Sequence, residues 1–508
     1  MIGATRTFLD LSLHSAVRHW AQYQPGRVAI ITEEATFTYS AFQTLVRMYC
    51  LQIHRLGFGR QTPIGILVRS KANFLAAVCA LLSEGHIPVF VNLSLEPHIT
   101  RKMFSDASCE AVVCDSERMC PSGLAEGTLQ PILIDTVASV GHSTDHAELV
   151  DRYADDTWGI VYSSGTTGVP KGIVRSDLSI LNELVGWCFE LPITRASIGL
   201  IGRPLYYTGG LMLSAATLLA GGSLILPQEW SAGTYVSLAS QYPVDFAFLV
   251  PEQIRELLNA RRDTPDSWPR PSKIMTMGAP ITPTTKQQVV ETLAADYIES
   301  WGNSEGLGTI TSPADVQLRP ASIGRPFLSD RMWIVDDNGN PLPIGKIGRL
   351  AGRADSTLSE YCHRDDLNQQ LIRGRMVISE DLGYMDEHHY FYLVGRVSER
   401  FVQDGMPVFT TDIEEIARLV PGVVDIAVAG VTNAAGGEDL AALVVASGGV
   451  DADVPRLLKS INGALDKHQR LGGIYLVPAL PRNASGKVDL NVVKRKVLEQ
   501  RDQLSTPD

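Results

Sequence analysis

Cysteine is scarce and lacks pattern: seven residues, at 50, 79, 109, 114, 120, 188 and 362, make an odd set with no Cys-x-x-Cys step. That argues against a disulfide framework and a structural zinc site, and it suits reduced thiols in a cytoplasm. Positive charge is short as well. Against 56 Asp and Glu stand 44 Lys and Arg, a net charge of -12, so the surface as a whole repels polyanions. Neither nucleic acid nor an anionic membrane is an expected partner. Long apolar runs are also missing. The opening MIGATRTFLDLSLHS is broken by Arg6 and Asp10 where a signal peptide would be continuously apolar. The uncharged stretch from Pro204 to Gln228 reaches the length of about 20 residues that a membrane helix needs. Gly209-Gly210 and Gly221-Gly222 cut it, however, and predict a short helix over 211–220 followed by a buried strand over 223–226, so no membrane span is expected.

What is present is ordinary globular material: 508 residues, 45% hydrophobic and 20% charged. At about 150 residues per domain this suffices for one large domain and a smaller one. From Ser40 the apolar positions Phe42, Leu45, Val46, Tyr49, Ile53 and Leu56 repeat at helical spacing, with Ser40 and Gln43 set as a capping box and Gly57 as the stop. An apolar run at 63–68, a helical stretch at 73–82, a strand at 88–92, a helix at 97–106 and a strand at 110–114 then alternate. That rhythm predicts parallel strands joined by crossover helices, an α/β fold. After about residue 330 the strands shorten. Beyond Arg396 a short helix at 412–416, strands at 424–431 and 441–446 and a helix at 454–465 predict a compact α+β unit. His388-His389 are read as hairpin residues, because adjacent side chains on a strand face opposite ways.

The most telling local pattern is Val161-Tyr-Ser-Ser-Gly-Thr-Thr-Gly-Val-Pro-Lys-Gly172, an apolar strand running into small hydroxyl residues and glycines. Gly165, Gly168 and Gly172 admit close backbone approach. Ser163, Ser164, Thr166 and Thr167 supply neutral donors and Lys171 a cation, a set that suits phosphate. It is not a Walker A loop, since Pro170 precedes the lysine and Gly172 follows it where Ser or Thr is needed.

This loop resembles the signature of the adenylate-forming superfamily, which includes acyl-CoA and aryl-CoA synthetases, adenylation domains of peptide synthetases and firefly luciferase. Further matches follow in that family's order. They are Gly278-Ala279-Pro280, then Trp301-Gly302-Asn303-Ser304-Glu305, then Ser322-Ile-Gly-Arg-Pro326. Asp381-Leu-Gly383 and Val394-Gly-Arg396 come next, 15 residues apart from 381 to 396, and Leu480-Pro-Arg-Asn-Ala-Ser-Gly-Lys487 closes the series. The resemblance spans essentially the whole chain. It implies a large N-terminal domain over 1–396, of parallel, helix-flanked sheets with a smaller barrel-like, β-rich subdomain from about 330. A small mobile α+β C-terminal domain over 397–508 would follow.

The resemblance also implies the chemistry: a carboxylate attacks the α-phosphorus of ATP, pyrophosphate leaves, and the acyl group passes to a thiol, above all that of CoA. The phosphopantetheine of a carrier protein or an amine is the alternative acceptor, and a nucleotide-binding pseudoenzyme is the alternative from another class. Lys487 would bridge the attacking carboxylate and the α-phosphate, Glu305 would hold Mg2+ and Ser304 would donate to the phosphate. The loop from Ser163 to Lys171 would cradle pyrophosphate, while Gly278, Ala279, Pro280, Trp301 and Gly302 would receive adenine. Asp381 would accept from both ribose hydroxyls, because an ionised carboxylate has two acceptor oxygens, and Arg396 would add donors.

Arg203-Pro-Leu-Tyr-Tyr-Thr-Gly-Gly210 aligns with that family's Pro-Leu-Phe-His segment, with Tyr207 in place of histidine and no aspartate to pair a substrate ammonium. Tyr206, Tyr207, Gly210, Val250, Pro251, Met275, Met277 and Asn303 are the expected pocket walls, a set that suits a small fatty or aromatic carboxylic acid. Ser398 stands at the hinge where Asp or Lys is usual, Val402 where lysine is common, and Glu380 where glycine is usual. These departures bear on the thioester step rather than on adenylation. Asn92-Leu-Ser94 and Asn483-Ala-Ser485 fit glycosylation sequons, which a cytoplasmic chain does not use.

Overall fold

Two helices with almost no charge set the plan of the larger unit. Lys71–Ser83 and Thr208–Leu219 are buried on nearly every side, and a helix that is apolar all round must be covered all round. In the computed structural model two sheets supply that cover. The first has seven strands in the order Glu360–Tyr361, Lys171–Ser176, Thr157–Ser163, Ile87–Phe90, Pro63–Leu67, Ala111–Cys114, Gln130–Leu133. The second has nine, in the order Arg325–Pro326, Gly308–Ile310, Asp296–Gly302, Lys273–Met277, Phe246–Leu249, Ile198–Ile201, Ser223–Ile225, Val28–Ile31, Thr36–Thr38. Ile64, Ile66 and Phe90 of the first sheet and Ile30, Phe246, Phe248 and Met275 of the second share one core with both helices. The central pairings are parallel and the strands there are buried on both faces, so the α/β reading of the alternating pattern holds.

The structure describes residues 7–115, 129–133, 150–163, 171–263, 268–279, 281–328, 330–353, 356–374, 376–397, 400–403, 406–432, 438–482 and 488–505. The chain divides into two compact units, Met1–Met332 with Gly352–Val377 and Trp333–Ala351 with Ile378–Asp508. Among the described residues no helix is long and apolar enough to cross a membrane, and six cysteines are all free.

Beyond residue 330 comes a five-stranded sheet ordered Arg331–Val335, Gly348–Arg353, Met376–Met385, Ile372–Arg373, with Phe391–Arg396 also paired to Met376–Met385. His388 and His389 lie in the turn between those last two strands, as expected. Farther on, Val423–Thr432, Glu438–Ala446 and Gly473–Leu476 form a three-stranded sheet. Its alternation is clean. Ile426 and Val428 pack with Ile413 and Ile461 in one core, whereas Ala427, Ala429 and Val431 pack with Val493 and Val497 in another, as the period of two dictates. The helices Thr410–Arg418, Val454–Ala464 and Leu490–Ser505 therefore cover both faces.

Two local expectations are corrected. The helix Tyr39–His54 is capped by Thr38, whose side chain accepts from the Ala41 N–H, and not by Ser40. The strand Thr36–Thr38 runs directly into the helix, so Ser40 is already inside it. Gly209-Gly210 does not break the chain but lies in the first turn of Thr208–Leu219. These glycines serve close approach: a Cβ on Gly209 would stand 3.1 Å from Met277 Sδ, and one on Gly210 would stand 3.1 Å from the Pro204 carbonyl oxygen.

Candidate active site

Four neighbouring parallel strands of the nine-stranded sheet end at residues singled out above. Ile198–Ile201 leads to Arg203 and the Tyr206-Tyr207 pair, Phe246–Leu249 to Val250 and Pro251, Lys273–Met277 to Gly278 and Ala279, and Asp296–Gly302 to Asn303, Ser304 and Glu305. Carboxyl ends of parallel strands are where open α/β sheets bind ligands, because the loops there are free to diverge while the strands hold them in place.

The 301–305 loop is tightly built. Gly302 pairs with Gly308 across an antiparallel hairpin. Asn303 closes the loop by donating its N–H to the Leu307 carbonyl oxygen at 3.1 Å and accepting the Leu307 N–H on Oδ1 at 3.0 Å. Gly306 has φ +93, and a Cβ there would stand 2.1 Å from the Ser356 carbonyl oxygen, so the turn after Glu305 requires glycine. Tyr361 donates its hydroxyl to Glu305 Oε1 at 2.9 Å. The same tyrosine pairs in register with Ile173, on the strand that begins at Lys171. The 301–305 loop of one sheet is thereby tied to the strand Lys171–Ser176 of the other. On that strand Lys171 pairs with Ser163, and the Lys171 side chain is buried. Trp301 is half-buried and packs on the cluster of Ile173, Leu307, Leu358 and Tyr361.

Tyr207 accepts from Asn92 Nδ2 at 3.2 Å, its ring lies 4.7 Å from that of Tyr206, and the Arg203 guanidinium carbon sits 4.6 Å from its centroid. Burial raises the Tyr206 hydroxyl pKa, against hydrogen bonds from Ser94 and Tyr207. Met277 bridges this cluster to the 301–305 loop, since it abuts Gly209 on one side and Gly302 on the other. The structure thus brings Tyr206, Tyr207, Gly210, Met277, Gly278 and the Gly302–Asn303 turn together. Met275 is fully buried in the core between the sheets, and Val250 donates its N–H to Gln253 Oε1 at the start of the helix Pro251–Asp263.

In the second unit, Asp381 and Arg396 lie opposite each other on paired strands, with Arg396 Nε donating to Asp381 Oδ1 at 2.9 Å. Ser379 Oγ meets Asp381 Oδ2 at 3.3 Å and accepts the Asp381 N–H at 3.0 Å. Ser164, Gly165, Thr166, Thr167, Gly168, Pro280, Ser398 and Lys487 lie outside the described residues, as do the side chains of Ser163 and Val402.

Three contacts escaped the sequence. Tyr361 belongs to none of the matched motifs. Asn92 stands in a sequon, which does not point to Tyr207. Arg203 heads the segment aligned with Pro-Leu-Phe-His, where a cation has no part in that motif. Only the last left a signal in the sequence, a cation standing beside otherwise apolar pocket residues.

A double-sheet α/β unit with its loops at strand ends, followed in the chain by a small α+β unit, defines the class: a two-part α/β protein that presents its loops at the carboxyl ends of parallel strands. The chain belongs to the AMP-binding enzyme family. Residues 17–362 match that family's profile and residues 412–487 match the AMP-binding enzyme C-terminal domain. It is 24% identical over 478 residues to a 2-succinylbenzoate--CoA ligase of Bacillus mycoides (strain KBAB4), covering 94% of this chain and 97% of that one. Its fold is similar to that of o-succinylbenzoate CoA synthetase (MenE) from Bacillus subtilis in complex with the acyl-adenylate OSB-AMP, with a TM-score of 0.84 and 22% identity over 94% of this chain and 97% of that chain. It is also similar to ATP-bound MatB from Rhodopseudomonas palustris, with a TM-score of 0.87 and 24% identity over 96% and 99%.

Proposed function

We propose that this chain is an AMP-forming acid-thiol ligase that activates a small carboxylic acid with ATP and transfers the acyl group to CoA. The reading is carried by the tie through Tyr361, which sets the Glu305 carboxylate beside the strand that leaves the phosphate-type hairpin. Membership in the AMP-binding enzyme family and the CoA-ligase names of the relatives support it.

In this reading Lys487 neutralises charge as the carboxylate oxygen bonds to the α-phosphorus, and the 163–171 loop with Lys171 receives the leaving pyrophosphate. Ser304 donates to the phosphate, Gly278, Ala279, Pro280, Trp301 and Gly302 receive adenine, and Asp381 with Arg396 holds the ribose. A Mg2+ ion binds through one or two carboxylates plus substrate phosphates, so Glu305, oriented by Tyr361, fits a metal that arrives with the triphosphate and offsets its charge. Segment 397–508 moves between the two half-reactions, with Ser398 as the pivot. Six free cysteines suit a reducing cytoplasm. A carrier-protein phosphopantetheine, which presents the same thiol arm as CoA, is the second acceptor, and the departures at Ser398 and Val402 bear on the thioester step with either.

The test is a panel of acids scored for pyrophosphate release with ATP, with and without CoA. Acid-dependent release together with a CoA thioester is the expected result. Release without a thioester points to the carrier acceptor, and no release with any acid removes the ligase reading in favour of a nucleotide-binding pseudoenzyme.

A further inference from the structure

Arg203 is a buried cation without an anion. Only 8% of it is exposed, and among the described residues it makes no hydrogen bond and no ion pair. Its one side-chain partner among the described residues is the face of Tyr207, at 4.6 Å. The phenols of Tyr206 and Tyr207 are the groups that act on its charge, and no carboxylate is among them. A guanidinium stays charged at any ordinary pH, and a charge removed from water without a counter-charge is costly enough that proteins rarely keep one. The head of this side chain is nonetheless held in a defined place. Nη1 lies 3.1 Å from where a Cβ on Gly278 would stand, so the glycine there leaves room for it. A second donor lacks a partner nearby in the chain fold: Asn303 Nδ2 is buried and unbonded, on the residue that follows Gly302.

Resting on the ligase reading above, we propose that Arg203 is a specificity-determining residue that pairs with a second, non-reacting anionic group on the acid, so that the preferred substrates are dicarboxylic acids. The chemistry separates this group from the carboxylate that reacts. When the reacting carboxylate oxygen bonds to the α-phosphorus and pyrophosphate leaves, that carboxylate becomes a neutral acyl group in a mixed anhydride. A buried cation matched to it would be stranded in the intermediate. A second carboxylate keeps its charge through both half-reactions, and so does its pairing with Arg203. The flanking Tyr206, Tyr207 and Met277 then receive the body of the acid. The same cation disfavours free α-amino acids, whose ammonium would find no carboxylate in this wall.

The experiment compares matched pairs of acids on the wild-type enzyme, Arg203→Leu and Arg203→Lys: 4-oxo-4-phenylbutanoate against its ortho-carboxylated counterpart 2-succinylbenzoate, and hexanoate against hexanedioate. Acid-dependent pyrophosphate release gives kcat/KM for each, equilibrium binding gives the ATP Kd, and thermal unfolding checks folding. The wild type is expected to favour the diacid of at least one pair. Arg203→Leu should lower the diacid-to-monoacid ratio by about 100-fold or more, the scale for removing one partner of a buried charge pair, and Arg203→Lys should retain part of the preference. An unchanged ratio in a folded Arg203→Leu enzyme overturns the proposal. So does a weaker ATP Kd with an unchanged ratio, which would assign Arg203 to the nucleotide. A wild type that activates only monoacids overturns the proposal while leaving the ligase reading standing, whereas no activation of any acid removes both. Should Arg203→Leu not fold, the lysine variant decides: equal retention of both acids of a pair counts against the proposal, and selective loss of the diacid supports it.

Discussion

Asp381 and Arg396 face each other across a bulged hairpin, with Arg396 Nε 2.9 Å from Asp381 Oδ1. The bulge makes the facing possible: the register shifts between Leu382 and Gly383, and Gly395 adopts φ +155. Gly383 cannot be replaced, because a Cβ there would stand 2.2 Å from the Tyr392 carbonyl oxygen. Arg396 takes one lone pair of Oδ1 and Ser379 approaches Oδ2, while an ionised carboxylate offers about four acceptor sites. Asp381 therefore keeps capacity for a pair of hydroxyls while being held still.

Asp381→Ala is expected to raise the KM for ATP by about 10- to 100-fold, the scale of losing charge-assisted hydrogen bonds. The KM for the acid should stay within a few fold. Arg396→Ala should cost less, because its side chain is 42% exposed and acts through the aspartate as well as directly. Steady-state kinetics with each substrate varied checks both. Equal damage to the two KM values would mean that the hairpin only supports the fold.

Lys487→Ala should reduce the adenylation rate by at least about 100-fold while leaving the ATP Kd within a few fold, since the cation contributes mainly as charge develops in the transition state. Single-turnover pyrophosphate release and nucleotide binding, measured on the same preparation, separate the two effects. Near-normal adenylation in the variant would remove Lys487 from the chemistry.

Tyr361→Phe deletes one hydrogen bond to Glu305 and little volume. It should raise the Mg2+ concentration for half-maximal activity several-fold and leave the KM for the acid alone, whereas Glu305→Gln should raise the Mg2+ requirement more. A stability loss of about 1 kcal/mol is the scale for the missing bond. If only stability moved, Tyr361 would be a packing residue that happens to touch Glu305.

The paired strands that meet at Ser163 and Lys171 and the 301–305 loop were legible in the sequence for one reason. Their shape depends on residues close along the chain, and in the 301–305 loop a glycine, Gly306 at φ +93, marks the turn. The alternating runs of the two sheets were legible because burial on both faces imposes continuous apolar strands. What stayed hidden depends on long-range contact. Glu305 and Tyr361 are 56 positions apart and Asn92 and Tyr207 are 115 apart, and no local pattern announces either pair. Gly209-Gly210 reads as a break in the sequence because glycine signals both turns and close approach, and only the packing against Met277 and Pro204 tells which. Arg203 is the same problem in charge. A sequence shows a cation but not whether the fold supplies its counter-charge.

Acid stability should follow two histidines packed near one arginine. His14 is buried, its pKa is pushed down to about 3 by burial and then by Arg152 and Arg18, and its Nδ1 lies 3.0 Å from Ser12 Oγ. His86 is pushed down to about 4 by burial and Arg152. An unfolded chain protonates these rings near the ordinary value of about 6.5, so between that pH and 3 to 4 the unfolded state binds more protons. Stability is therefore fully present above about pH 6.5 and is lost as pH falls toward the folded values. Asp177 opposes this. Burial raises its carboxyl to about 6 despite the Arg152 guanidinium bonded to Oδ2 at 2.8 Å, so the folded state binds its proton more readily and gains relative stability as pH falls from 6 toward the ordinary carboxylate range. For His14 alone the expected loss between pH 7.5 and pH 5 is about 2 kcal/mol. His14→Gln should remove that share, so that denaturant unfolding of the variant and the wild type differs by about 2 kcal/mol less at pH 5 than at pH 7.5. Asp177→Asn should do the reverse and steepen the acid loss. Unfolding free energies that shift in parallel for wild type and His14→Gln over this window would show that His14 is protonated in the fold and that the buried neutral ring is not the source of acid sensitivity.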